Sequence, residues 1–274
     1  MVVRPIARHS IEPDQTLKMR AVAALIAFAV ITSALIPVQW AAVHWRLPLR
    51  RSIPVFYHRI LCRLLGVRIT VVGKICAGRP LLIAANHVSW IDISVVTALA
   101  PVVFVAKREV AAWPLFGLLA KLQRSVFVDR AQPRRTPEVN REIAGRLADG
   151  DPVVLFAEGT SSDGNRVLAF RSSLIGAAHA ALDAAGGSVL VQPMAIAYTR
   201  IGGVPAGRQH RPQVAWYGAM ELVPHLLDVL RRGAIDVTVS WGEPVECAAV
   251  TDRKALARML EEKTRAMAIR ALRS

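Results

Sequence analysis

Cysteine is scarce in this sequence, and Cys62, Cys76 and Cys247 are far apart, without metal-ligand spacing. They are expected to be reduced, partly buried thiols of a cytosol-facing chain, and no metal site is expected. A Gly-x-Ser-x-Gly elbow is missing, which weakens a serine-hydrolase reading. Paired Cys/His ligands and an aromatic RNP stretch are missing too, so nucleic acid is not an expected partner. Repeats and low-complexity tracts are absent. Acidic side chains are in deficit, 20 against 35 Lys and Arg, which leaves a formal net charge of +15. Apolar residues are abundant, at 53% of the 274 positions, enough for one domain of moderate size with a proper core. A basic, apolar-rich chain suits an anionic membrane surface or an acidic partner.

Residues 1–20 form a polar tail expected to be poorly ordered. Residues 21–38 carry no charge, and as a helix they would extend roughly 27 Å, just short of a bilayer core. Trp40 and Trp45 read as an interfacial belt, with Arg46, Arg50 and Arg51 as headgroup contacts. Both flanks are basic, so the charge bias gives no orientation. Twenty polar residues before the apolar run make a poor signal-peptide n-region. The segment reads either as a single span or as a re-entrant helix kinked at Pro37, with residues 53–65 as its second helix and Arg59 and Arg63 on the polar side. The expected organisation is thus a tail at 1–20, a membrane-associated helical segment at 21–65 and one further domain at 66–274.

From Val67 short apolar runs alternate with helical patterns. Strands are predicted at 68–72, 81–85, 102–105, 153–156, 189–197 and 235–241, and helices at 94–99, 115–122, 137–148, 173–184, 222–231 and 251–270. Thr136 and Pro137 give a helix start signal. Residues 201–212 read as a long surface loop. The alternation predicts an α/β fold, a central mostly parallel sheet flanked by helices, preceded by the membrane-embedded segment.

Two strands run into polar stretches. Leu81–Ala85 leads to Asn86-His87-Val88-Ser89-Trp90-Ile91-Asp92. His87 and Asp92 are too far apart in sequence to share one face of a straight helix, but a strand-to-helix turn can fold the carboxylate back onto the ring. An aspartate on one ring nitrogen fixes the tautomer and leaves the other nitrogen free to take a proton, which suits a general base. Val153–Phe156 leads to Ala157-Glu158-Gly159-Thr160-Ser161-Ser162-Asp163-Gly164. Strands ending in polar loops build a site at the carboxyl edge of an α/β sheet.

In these stretches the chain resembles the glycerolipid acyltransferase family, which carries a His-x4-Asp motif followed by Glu-Gly-Thr. Phe127-Val128-Asp129-Arg130 and Val191-Gln192-Pro193-Met194 match further blocks in order, and the resemblance covers about residues 60–245. It implies transfer of a fatty acyl group from an acyl carrier protein or coenzyme A thioester to a lysolipid hydroxyl, without a cofactor. His87 is then the base and Asp92 its partner, with Glu158, Gly159 and Thr160 positioning the acceptor and Arg130 or Arg171 gripping a charged headgroup. Ser89 is read as a turn residue rather than a nucleophile. Lys107, Arg108, Arg124, Arg134 and Arg135 read as solvated charges or as a docking face for the donor.

Relatives acting on lysophosphatidic acid usually place arginine after Glu-Gly-Thr, a sensible bidentate phosphate ligand. Here that position is Ser161, and the run looks more like the branch acylating lyso-ornithine lipid, where Asp163 would meet the headgroup ammonium. Trp216-Tyr217-Gly218 and His225 point the same way. The resemblance also implies a bacterial-type inner membrane location with the site facing the cytosol. Lysophosphatidic acid stands as the runner-up acceptor. A non-catalytic basic membrane-binding protein is the reading of a different class, and the intact His/Asp pair favours the enzyme.

Overall fold

The structure is a computed structural model and describes residues 15–129, 136–173, 175–176, 182, 187–248 and 250–274. It begins with helices α1 (Gln15–His44) and α2 (Leu49–Leu65). Helix α1 starts earlier and ends later than the charge-free run, absorbing the last part of the expected tail and Trp40, and it continues through Pro37 as a single segment. Helix formation needs no apolar face, and residues 15–20 hold no Gly or Pro to stop it. Residues 19–44 are long and apolar enough to cross a membrane. At 30 residues α1 is about 45 Å long.

Ala21, Ala24, Thr32, Gln39 and Ala42 form the stripe of α1 that packs on the protein, at helical spacing, while Val22, Ile26 and Val30 remain mostly exposed. A helix apolar on both faces suits contact with protein on one side and lipid on the other. Gly66 ends α2 in the left-handed conformation, at φ 72°, where glycine avoids the Cβ penalty. Helix α2 is tied to the domain by Arg59 Nε, which donates to the Ala98 carbonyl at 2.9 Å, and by Arg51 Nε on Asp151 at 2.7 Å.

The strands among the described residues are β1 (Val67–Val72), β2 (Leu81–Ala85), β3 (Val103–Lys107), β4 (Val126–Val128), β5 (Val153–Phe156), β6 (Val189–Ile201), β7 (Val204–Pro205), β8 (Ile235–Trp241) and β9 (Val245–Cys247). The order is β1-β8-β6-β2-β5-β3-β4, with β7 and β9 also paired to β6. From β6 to β4 all neighbours are parallel, whereas β8 runs antiparallel to β6. Strands β4, β7 and β9, of three, two and three residues, are too short to show a period in sequence.

Among the described residues the sheet is accompanied by helices α3 (Ile91–Leu99), α4 (Phe116–Leu122), α5 (Thr136–Ala148), α6 (Leu222–Arg232) and α7 (Arg253–Arg273). Helix α3 begins ahead of the expected Ser94, so Asp92 lies in its first turn. The helix expected at 173–184 falls largely outside the described residues. Both sheet faces are covered, as alternation along β2 shows. Leu81, Ile83 and Ala85 pack with residues of α1, α2, α3 and α6, while Leu82 and Ala84 pack with α5 and α7.

Candidate active site

Parallel pairing aligns the ends of β2 and β5, with Ala85 opposite Phe156. The loops that follow therefore start side by side. Contact continues past the strands, with Ala157 N–H on the Ala85 carbonyl at 2.9 Å and Ser162 N–H on the His87 carbonyl at 2.8 Å. On the other side, Asn86 exchanges two hydrogen bonds with the Ile196 backbone at 3.0 and 2.8 Å, extending the β2–β6 pairing through a side chain.

These constraints place His87 where α3 begins. Its Nδ1 lies 2.8 Å from Asp92 Oδ2, which also accepts from the N–H groups of Val88 at 2.7 Å and Ser89 at 3.0 Å. Tyr198 donates to the other carboxylate oxygen at 2.6 Å. Asp92 has no solvent exposure. A buried carboxylate satisfied by donors on both oxygens stays acceptor-only, so His87 Nδ1 carries the proton and Nε2 is free to accept one. The ring stacks on Phe156 with centroids 3.9 Å apart and planes 16° from parallel. The imidazole is thus held at its edge and its face.

Beyond β5 the chain turns at Gly159, whose φ of 74° favours glycine. Glu158 points inward and is 2% exposed. Its Oε1 accepts the Leu168 N–H at 3.0 Å. Burial pushes its carboxyl up to about 8, against hydrogen bonds from the Leu168 and His87 backbone and with added repulsion from Asp92 and Glu261. Near neutral pH, Glu158 is therefore largely uncharged. A folded-state value above the ordinary 4.5 means that the folded protein binds the extra proton. That stabilisation is complete below about pH 4.5 and is lost as pH rises through about 8. Thermal midpoints measured across this window are expected to fall with pH in wild type and to flatten in Glu158→Gln.

His87, Gly159, Thr160, Ser161 and Trp216 share the wall of a cavity of about 610 Å³. Much of the rest is apolar and comes from the N-terminal helices, including Leu25, Phe28, Leu35, Ile36 and Leu61. Ser161 Oγ donates to the Trp216 carbonyl, and Trp216 N–H donates to the Val88 carbonyl at 2.9 Å. A segment distant in sequence is thereby stitched to both loops beside His87. The arrangement offers an imidazole nitrogen to a hydroxyl and an apolar space to a hydrocarbon chain.

A family model described as Acyltransferase matches residues 67–197. The lyso-ornithine lipid O-acyltransferase of Brucella abortus (strain 2308) is 53% identical over 247 residues, covering 90% of this chain and 91% of that one. The chain belongs to the acyltransferase family. A lyso-ornithine lipid O-acyltransferase of Rhizobium meliloti (strain 1021) is 51% identical, covering 86% of this acyltransferase and 82% of its relative. The crystal structure of the 1-acyl-sn-glycerophosphate acyltransferase from Thermotoga maritima matches with a TM-score of 0.62 at 21% identity, over 93% of this chain and 97% of that one. This last likeness shows the fold.

The acyltransferase brings His87 and Asp92 together and sets Gly159, Thr160 and Ser161 on the same cavity wall. Glu158 does not line that wall and grips the backbone of its own loop instead. Asp163 is also off the wall, with its oxygens accepting from Asn165 N–H and Nδ2, both at 3.0 Å. Arg171 Nε donates to the Glu158 carbonyl at 3.2 Å. Arg130 lies outside the described residues. Tyr198 and the stacking of Phe156 went unnoticed in the sequence. The period-two pattern of β6 gives Tyr198 its face of the sheet, but no local signal names its partner.

Proposed function

We propose that this acyltransferase transfers a fatty acyl group from a thioester of acyl carrier protein or coenzyme A to the hydroxyl of lyso-ornithine lipid, giving ornithine lipid. The observation that carries the reaction is the His87–Asp92 pair on the wall of an apolar cavity. His87 Nε2 takes the hydroxyl proton as the oxygen attacks the thioester carbonyl. The tetrahedral intermediate collapses, the carbon–sulfur bond breaks, and the proton passes to the departing thiolate. Asp92 stabilises the transient imidazolium. No covalent acyl-enzyme is required, because the thioester is already activated.

The acceptor is supported by the names of the two relatives sharing about half their residues with this chain. It is supported also by Ser161, which presents no cation to a phosphate and is engaged with the Trp216 carbonyl. Gly159, Thr160 and Ser161 form the acceptor side of the cavity, while Glu158, Asp163 and Arg171 hold the loop behind them. Residues 21–65 embed in the bacterial inner membrane with exposed Trp40, Trp45 and Phe56 at its surface, and residues 66–274 work on the cytosolic side.

The test offers labelled acyl carrier protein and coenzyme A thioesters to membranes holding the protein, with lyso-ornithine lipid and lysophosphatidic acid in parallel. Product from lyso-ornithine lipid is expected, and product from lysophosphatidic acid alone overturns the acceptor. Ser161→Arg is expected to lower kcat/KM for lyso-ornithine lipid by about tenfold or more, since it removes the bond to Trp216 and puts a bulky cation on the cavity wall. An unchanged kcat/KM removes Ser161 from acceptor binding.

A further inference from the structure

We propose that Tyr198 is a positioning residue of the acyl-transfer reaction, holding the Asp92 carboxylate in the orientation that presents Oδ2 to His87. The inference rests on the reading of His87 as the base.

A carboxylate on a short side chain swivels easily about its last bond, and a base aligned by such a group inherits its orientation. Asp92 Oδ2 is crowded, taking His87 Nδ1 and the Val88 and Ser89 N–H groups, all from the turn in which Asp92 itself lies. Oδ1 points the other way and meets Tyr198, at 2.6 Å and 106 positions distant in sequence. This bond alone of the four ties the carboxylate to an element outside the turn.

Tyr198 is well placed for that role. Met194, Ile196 and Tyr198 alternate along β6 onto the face that packs with α3, and the ring sits in that core at 2% exposure. Register does the rest, since β6 pairs with β2 from Leu81 to Ala85 and Asn86 prolongs the pairing to Ile196. Burial, then the neighbouring Asp92 charge, holds the phenol far above its usual range, so it remains a donor.

The titratable groups around this contact are His87 from the turn after β2, Glu158 from the loop after β5 and Cys62 from α2. Burial pushes Glu158 up to about 8. Among these partners Tyr198 has a specific electrostatic effect. Its hydrogen bond draws negative charge off Asp92 and so moderates the stabilisation of a protonated His87. Loss of the hydroxyl therefore has a signature beyond a lower rate, because the base then protonates at higher pH.

The experiment measures kcat, KM and the pH profile of kcat/KM for the full chain in membranes. The variants are wild type, Tyr198→Phe, His87→Ala and a chain carrying 3-fluorotyrosine at 198, whose phenol is a stronger donor of unchanged shape. Tyr198→Phe is expected to lose about ten- to a hundredfold in kcat, with KM within about twofold. The acid limb of its profile is expected to move up, and that of the fluorinated protein to move down. A wild-type rate and limb in Tyr198→Phe overturn the proposal, as does a lower rate with an unmoved limb. The fluorinated chain keeps the ring in the core and decides the matter by its limb if the phenylalanine variant does not fold. Full turnover in His87→Ala instead removes the base reading itself, while a dead His87→Ala beside a wild-type Tyr198→Phe removes only the role of Tyr198.

Discussion

His87→Ala is expected to lower turnover by at least about 10²–10⁴-fold while leaving the fold in place. A lipid hydroxyl is too weak an acid to attack a thioester unaided, and the His87 imidazole, the proposed base, lines the cavity beside Gly159 and Thr160. The loss belongs in kcat, because the apolar lining from the N-terminal helices, which would hold the acyl chain, is untouched by the substitution. The structural cost is small. The ring forfeits its stacking on Phe156 and one hydrogen bond to Asp92, and its side chain is already 17% exposed. Rate and thermal midpoint measured on the same preparation check both halves of this expectation. A His87→Ala protein turning over near the wild-type rate would discard the base mechanism.

Asp92→Ala is expected to damage stability as well as rate, and this separates the two members of the pair. Its carboxylate serves the Val88 and Ser89 N–H groups and the Tyr198 hydroxyl in addition to His87. Truncation leaves these donors buried without an acceptor, at about 1–3 kcal/mol each. With some relief from entering water, a loss of about 3–5 kcal/mol is expected. The free imidazole then loses its tautomer and its stabilising charge, so turnover should fall to the level of His87→Ala or below. Asp92→Asn keeps an amide oxygen and should recover part of the stability but little of the rate. Urea midpoints for the three variants test the order, and equal midpoints for Asp92→Ala and His87→Ala would show that the extra donors carry no weight.

How much of this was legible in the sequence differs from element to element. Strands β2 and β5 start and end where the apolar runs do, because fully buried strands are written as continuous hydrophobic segments, and β8 spans the alternation of Ile235, Val237, Val239 and Trp241 with polar residues. A start for α3 at Ser94 passes over Ser89-Trp90-Ile91-Asp92, whose Ser-x-x-Asp spacing is a helix-start signal and whose Asp92 carboxylate accepts the Ser89 N–H at 3.0 Å. In the sequence, Glu158 reads as an acceptor-positioning residue because its Glu-Gly-Thr motif abuts the site. Its inward direction follows from the turn at Gly159 and from the Leu168 N–H that it meets, neither of which spacing reports.

The sequence by itself determined the α/β class, the apolar N-terminal segment and the two loops that carry His87 and Glu158. All of these are local, set by the order of apolar and polar residues along a few turns or strands. Only the tertiary structure decided what those loops face. Placing β2 between β5 and β6 brings Phe156 under the imidazole and Tyr198 to the carboxylate, and laying α1 and α2 over the domain makes an apolar cavity beside the base. Such contacts join residues about seventy to more than a hundred positions apart. They exist through strand register and helix packing, which no short stretch of chain encodes.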